Sequence, residues 1–326
     1  MLSMKAPCGN PAQTRPGAGA RRSLLLLVVL TGLAAGARAA TAPYWLLGRR
    51  PVHAVRRVVS LAPNLTEMMF ALGAGSLVVG VTRYDDYPPA VKKLPRVGGF
   101  IDPSVEGILA LQPDLVICTP NPGGRQRLEV LVRMRVAVLV LPCYDLAGIL
   151  AALERLGQVV GRRGRAARLR ATMKARITEI GTSLAGRARP RVLLLYGHRP
   201  LVAAGPGSFA HEMVELAGGR NVLEDSPTRY PVLPLEQVIR LAPDIIIDAA
   251  MAGGGEAGRR EETSFWKRFS VIPAVRRGRV YRFDSALWFR PGPRVVEGIE
   301  RLARLLHPEV ALPGAAGDAG PAGASP

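Results

Sequence analysis

The chain has 326 residues, of which 48% are hydrophobic, and a formal net charge of +19. That content excludes a disordered chain and leaves room for two domains with cores of their own. Only five of the 44 basic residues are lysines, and Gly, Pro and Ala are abundant, so the charge reads as compositional bias and not as a phosphate-binding surface; no nucleic-acid partner is expected.

In chain order, residues 1–39 read as a signal peptide. Arg15, Arg21 and Arg22 precede the apolar run Leu24–Leu30 and a small-residue stretch ending in Ala37-Arg38-Ala39, with cleavage near Ala39. The apolar core of about eleven residues falls short of the roughly 20 that span a bilayer, and an uncleaved anchor is the alternative. The Arg21-Arg22 pair leaves both the general secretory and the twin-arginine routes open. No cysteine closely follows the core, which argues against a lipoprotein. The signal predicts an exported protein, and residues 40–55 look like a tether.

A first lobe is expected over 56–144. It opens with a strand at Arg57–Ala62, then Pro63-Asn64 and a helix over Leu65–Leu72 closed by Gly73. Thr66 and Glu67 suit a cap and the dipole of that helix. A strand at Val78–Thr82 leads into Arg83-Tyr84-Asp85-Asp86-Tyr87-Pro88-Pro89, an exposed loop by its aromatics and prolines. Ser104–Ile117 then reads SVEGILALQPDLVI. Val105, Ile108, Leu109 and Leu111 follow helical spacing, Pro113 stops the helix, and Leu115–Thr119 is an aliphatic run too continuous for a strand buried on one face only. Another strand, Ala137–Leu141, precedes Cys143 and Tyr144. Residues 145–189 lack proline and carry Leu146, Ile149, Leu150, Leu153 and Leu156 at helical spacing, which predicts one long connecting helix bent near Gly161 or Gly164. Its basic part, Arg162–Arg176, reads as a solvated face.

A second lobe is expected over 190–310, followed by a disordered tail over 311–326. Its strand Arg191–Gly197 gives way to a loop through His198 and Arg199, then a helix over Phe209–Ala217. Pro234–Ile247 reads PLEQVIRLAPDIII and repeats the earlier pattern 130 positions on, matching Glu106 with Glu236, Leu111 with Leu241, Pro113 with Pro243 and Asp114 with Asp244. Glu212–Gly218, EMVELAG, likewise echoes Glu67–Gly73, EMMFALG. A strand at Arg279–Phe283 and a helix over Pro293–His307 complete the lobe. A repeat this long is no solenoid unit; it implies an α/β fold of two similar Rossmann-like lobes joined by one long helix, with a ligand cleft between them. Loops after parallel strands place Asn64, Arg83, Tyr84 and Tyr144 on one rim of that cleft.

Catalytic and metal chemistry find little support. His53, His198, His211 and His307 have no paired ligand spacing, so no metal site is expected. Gly205-Pro206-Gly207-Ser208 lacks the Lys-Ser/Thr ending of a phosphate loop, and Asp85-Asp86 has no placed base or nucleophile; the protein is not expected to be an enzyme. Cys8 leaves with the signal. Cys118 and Cys143 end neighbouring strands in an oxidising compartment, where a disulfide and two buried thiols are both open readings.

Several ordered motifs between about residues 56 and 308 strongly resemble the periplasmic binding proteins for cobalamin and ferric siderophores, the substrate receptors of ABC importers. They are Val59-Ser-Leu-Ala-Pro-Asn-Leu-Thr-Glu67, the Gly80–Pro88 loop, Pro95–Gly99, Pro103–Ile117, Ala204–Gly207, Ala217–Asn221, Leu235–Gln237 and Arg290–Glu297. The resemblance implies a monomer that takes no cofactor beyond its bound ligand and hands that ligand to a dimeric permease, docking through one exposed glutamate per lobe, Glu106 and Glu236. It implies a ligand of the metal-chelate class, with cobalamin favoured by the Tyr-Asp-Asp-Tyr-Pro-Pro loop and the Arg-Pro-Gly-Pro run. A corrin needs aromatic faces and a few polar groups, for which Asn64, Tyr84, Tyr144, Tyr196 and Trp288 are the candidates. Arg83, Arg229 and Arg290 would instead suit an anionic ferric siderophore or haem.

Overall fold

The computed structural model describes residues 44–48, 53–120, 125–198, 200–249, 265–282 and 290–312. The signal peptide, Arg199, Trp288 and most of the tail lie outside these residues. The first lobe is a five-stranded sheet in the order β1-β5-β4-β2-β3, built from β1 (Trp45–Leu47), β2 (Val58–Ser60), β3 (Val78–Gly80), β4 (Leu115–Cys118) and β5 (Ala137–Val140). Helices α1 (Pro63–Ala71), α2 (Val105–Ala110) and α3 (Arg125–Arg133) alternate with these strands. Strands β2 to β5 are parallel, and β1 pairs antiparallel with β5. The segment expected to be a tether thus holds an edge strand, with Trp45 opposite Val140.

After α4 (Leu146–Val159) and α5 (Arg163–Ser183) the second sheet runs β11-β10-β6-β7-β9. Its strands are β6 (Arg191–His198), β7 (Leu201–Ala203), β9 (Val232–Leu233), β10 (Ile245–Asp248) and β11 (Val280–Arg282), with the short β8 (Arg220–Asn221) beside β6. Around them lie α6 (Phe209–Leu216), α7 (Leu235–Leu241), α8 (Pro273–Arg276) and α9 (Val295–Leu306). Strands β6, β10 and β11 are parallel, but β6 turns back into β7, so part of the loop expected after Gly197 is an antiparallel hairpin.

The aliphatic strands are buried on both faces because each sheet separates two apolar layers. Val58, Leu115, Ile117 and Leu139 face a core that continues through α4 and α5 to α6 and α9. Val59, Val116, Cys118 and Val138 face an outer layer under α2 and α3. In the second lobe Leu193, Leu195 and Ile246 face a separate outer layer under α7 that includes Trp266. The shared layer joins the lobes and reaches Leu312, so packed chain extends into the start of the expected tail.

The duplicated aspartates are structural. Asp114 Oδ2 accepts the backbone N–H groups of Arg56 and Arg57, each at 2.8 Å, while Arg57 Nη2 donates to the Leu111 carbonyl at 2.8 Å. In the second lobe Asp244 Oδ2 accepts the Arg191 N–H at 3.2 Å and Arg191 Nη2 donates to the Leu241 carbonyl at 2.8 Å. Each set ties the end of one helix to the start of the lobe's first parallel strand, β2 or β6, satisfying helix-end carbonyls that have no partner within the helix. Gln112 and Ala242, both at φ 45°, turn the chain into Pro113 and Pro243, where proline disfavours a continuing helix.

The connector is two helices. Gly161 takes φ +68° with open space where a Cβ would stand, whereas Gly164 lies inside α5. At the joint a Cβ on Gly157 would come within 2.5 Å of Ala166 Cβ, so glycine lets α4 and α5 pack closely. Helix α5 alone spans about 31 Å at 1.5 Å per residue. Part of its basic stretch is engaged structurally: Arg165 donates to the Ala71 carbonyl at 2.8 Å, Arg176 to Glu300 at 2.7 Å, and Arg170 pairs with Glu154.

Candidate ligand-binding cleft

Glu67, one turn into α1, is only 4% exposed and reaches the opposite lobe. It accepts Arg294 Nε on Oε2 at 2.8 Å and Arg294 Nη2 on Oε1 at 2.7 Å, with Arg290 Nη1 at 3.4 Å. A buried carboxylate is tolerable there because the bidentate guanidinium replaces the lost water. Arg290 goes on to both Asp86 oxygens and donates to the Tyr84 carbonyl at 2.9 Å, while Arg294 lies 4.0 Å over the Tyr87 ring. Asn64 Nδ2 donates to the Pro291 carbonyl at 3.1 Å, and Gly292 packs on the Asn64 backbone. The expected capping role of Glu67 within α1 gives way to a tie between lobes.

Its counterpart in the repeat crosses the other way. Glu212 on α6 accepts the backbone N–H of Leu146 at 2.6 Å, at the start of α4, while Asp145 caps the same helix from the Gly148 N–H at 2.7 Å. Arg294 is likewise the residue that begins α9. Each lobe therefore sends one glutamate to the start of a helix outside it: Glu67 to the side chain of Arg294 just before α9, and Glu212 to the first N–H of the connector. Burial pushes the Glu212 carboxyl above its ordinary pKa, against the pull of the Leu146 hydrogen bond.

The tyrosines gather on the other side of the cleft. Arg229 of the second lobe lies 3.9 Å over the ring of Tyr144 of the first. Tyr230 meets Tyr196 edge to face at 5.8 Å, an arrangement that matches ring edge to ring face. Burial raises the Tyr196 phenol well above its usual pKa, with Tyr230 adding to it. Burial also raises Tyr230, which the charge of Arg229 opposes. Tyr84 and Tyr230 leave 53% and 45% of their surfaces exposed, enough to meet a ligand.

On the rim, Arg83 pairs with Asp102 at 2.6 Å, and its guanidinium stands 5.8 Å from the Tyr84 ring centre. Asp85 is 2% exposed and accepts the Thr82 hydroxyl at 2.5 Å and the Thr82 N–H at 2.9 Å, fixing the loop that presents Tyr84 and Asp86. Burial pushes the Asp85 carboxyl up, opposed by hydrogen bonds from Thr66 and Thr82. Asp86 is held below its ordinary pKa by the hydrogen bond from Arg290, against the effect of burial.

The sequence-derived candidates thus divide. Tyr144, Tyr196 and Arg229 come together, Asn64 and Arg290 join the interlobe tie, and Arg83 with Tyr84 forms the outer rim. Glu67, Asp86 and Arg294 were not expected as a unit; the EMMFALG/EMVELAG echo was the one signal for half of it. Glu106 and Glu236 are exposed in the first turns of α2 and α7. Cys118 and Cys143 are free and buried, and burial pushes both thiols up to about 12. No group of three or more His, Cys, Asp or Glu side chains able to hold a metal ion occurs among the described residues.

The family described as periplasmic binding protein matches residues 58–287. The vitamin B12-binding protein of Salmonella typhi is 31% identical over 273 residues, which cover 84% of this chain and 96% of that protein. Among solved structures, the periplasmic vitamin B12-binding protein BtuF of Vibrio cholerae superposes with a TM-score of 0.68 at 26% identity, covering 78% of this chain and 97% of that one. A periplasmic heme-binding protein from Pseudomonas aeruginosa does so with 0.70 at 28% identity, covering 79% and 95%.

Proposed function

The chain belongs to the periplasmic binding protein family, and on that footing we propose that it captures cobalamin outside the cytoplasm and delivers it to the permease of an ABC importer. It is a transport receptor and not an enzyme. The observation that carries the choice of ligand is the balance of charge in the cleft. Arg83, Arg290 and Arg294 already face Asp102, Asp86 and Glu67, so a dianionic ligand would have to displace a carboxylate from its partner, whereas an amide-fringed corrin needs only hydrogen bonds and aromatic faces. Tyr84, Tyr144 and Tyr196 supply those faces, with Asn64, Arg229 and Arg290 framing the cleft and Trp288 as a further contact. The vitamin B12-binding relatives support the same reading.

Haem is the second reading, favoured by the comparable likeness to a heme-binding structure. Calorimetric titration of the mature protein with cyanocobalamin, haem and several ferric siderophores separates the two. One-to-one nanomolar binding of cyanocobalamin alone, with quenched tryptophan fluorescence, is expected; tighter binding of haem would overturn the assignment.

Delivery is proposed to use Glu106 and Glu236. One exposed carboxylate at the same place on each lobe fixes the orientation of docking and assists encounter with arginine-rich pockets of a two-fold permease. Ser104, whose hydroxyl caps α2 through the Gly107 N–H at 3.0 Å, frees Glu106 from that task.

A further inference from the structure

We infer that Arg229 reads a single anionic group on the ligand, a phosphodiester monoanion, and is thereby the residue that separates complete cobalamin from corrinoids lacking the nucleotide loop. The inference rests on the cobalamin reading above. Arg229 differs from the other arginines at the cleft: Arg83, Arg290 and Arg294 each have a carboxylate partner, whereas no described carboxylate pairs with Arg229, and its Nε is buried without a hydrogen-bond partner. A buried donor left unmade is costly, and a ligand oxygen that satisfies it recovers that cost on binding.

The surroundings hold the guanidinium ready for such an oxygen. Tyr144 covers one of its faces at 3.9 Å, which leaves the in-plane N–H edge as the bonding side, the geometry that grips a phosphate with two parallel bonds. The backbone beneath it is clamped. The Arg229 carbonyl accepts the Gly205 N–H at 2.8 Å, and the Pro231 carbonyl accepts the Ala203 N–H at 3.0 Å. A Cβ on Gly205 would stand 2.2 Å from the Thr228 carbonyl oxygen, so only glycine permits this approach. Gly207, at φ +77°, faces the guanidinium without a side chain; a Cβ there would lie 3.7 Å from Nε. One uncompensated cation matches one phosphodiester, and a second ligand charge would find only arginines already paired.

The test combines removal of the side chain with removal of the ligand group. Wild-type protein, Arg229→Gln and Arg229→Lys are titrated with cyanocobalamin and with dicyanocobinamide, which lacks the phosphodiester and nucleotide. Wild type is expected to prefer cyanocobalamin. Arg229→Gln should lose about 10- to 100-fold in cyanocobalamin affinity, the range of a lost charge-assisted hydrogen bond, while its cobinamide affinity stays within about two-fold under the independence logic of a double-mutant cycle. Arg229→Lys, which keeps the charge but not the fork, should fall between. Equal losses for both corrinoids, or none for either, would overturn the role of Arg229 and leave the cobalamin reading standing. Wild type that binds neither corrinoid would sink the cobalamin reading and this inference together.

Discussion

Replacing Glu67 by methionine should cost more stability than any other single change in the cleft. The side chain is 3% exposed and its main partner Arg294 is 24% exposed, so solvent screens the pair little. Glu67→Met removes two charge-assisted hydrogen bonds, at 2.8 and 2.7 Å, and leaves Arg290 and Arg294 facing each other without the carboxylate between them. Breaking a buried pair from one side costs about 3–5 kcal/mol. At roughly 2–4 °C per kcal/mol for a large domain, the melting temperature should fall by about 6–20 °C. The double variant Glu67→Met/Arg294→Met should regain most of that loss, because two apolar side chains of similar volume can replace a buried ion pair at little cost. The assay is calorimetric melting of wild type, both single variants and the double at neutral pH. A Glu67→Met protein that melts within about 2 °C of wild type, or single losses that simply add in the double variant, would refute the reasoning.

Glu212 gives a pH signature. Its folded pKa is raised, so the native state holds its proton over a range where the unfolded chain has lost it, and the stability from this group declines as pH rises from about 4.3 through the folded pKa. Glu212→Gln keeps an oxygen for the Leu146 N–H without the charge, and its melting temperature relative to wild type should rise between pH 4 and 7; a flat difference would argue against it. Cys118 and Cys143 should resist a thiol-specific reagent at pH 8 in the native protein and react fully in denaturant, since their thiols titrate only near 12; rapid native labelling would contradict their burial. Alanine at both Glu106 and Glu236 should abolish uptake through the permease and leave ligand affinity unchanged in titration, whereas lost affinity would show that these residues serve the ligand.

Much of the fold was legible because short-range patterns carry it. Helical spacing ahead of Pro113 and Pro243 and the aliphatic runs after them marked helix, stop and doubly buried strand in both lobes, and the shared Asp114 and Asp244 marked the repeat. Strand β1 was not legible: Trp45-Leu46-Leu47 is too short to show alternation, and its partner Val138–Val140 lies far along the chain. The hairpin of β6 and β7 was hidden by the glycine and proline around it, which signal a loop and a tight reversal alike. Of the cleft, Tyr84 and Tyr144 could be read from topology as residues that follow the parallel strands β3 and β5, whereas Tyr196 lies within β6. The tie of Glu67 to Arg290 and Arg294 could not, because a charge pair separated by 227 positions leaves no period in the sequence.

The two crossing glutamates change what the connector is for. Glu67 joins α1 to the Arg294 side chain just before α9, and Glu212 joins α6 to the first N–H of α4, so each half of the chain holds the start of a helix in the other. The chain passes from one side of this exchange to the other at Gly161, a solvent-facing left-handed turn with nothing against it. In terms of assembly the molecule is a heterodimer written as one polypeptide: a cut at that turn would leave two fragments, each carrying one half of both crossings and a share of the common core, and the peptide link would act chiefly as a guarantee of equal numbers.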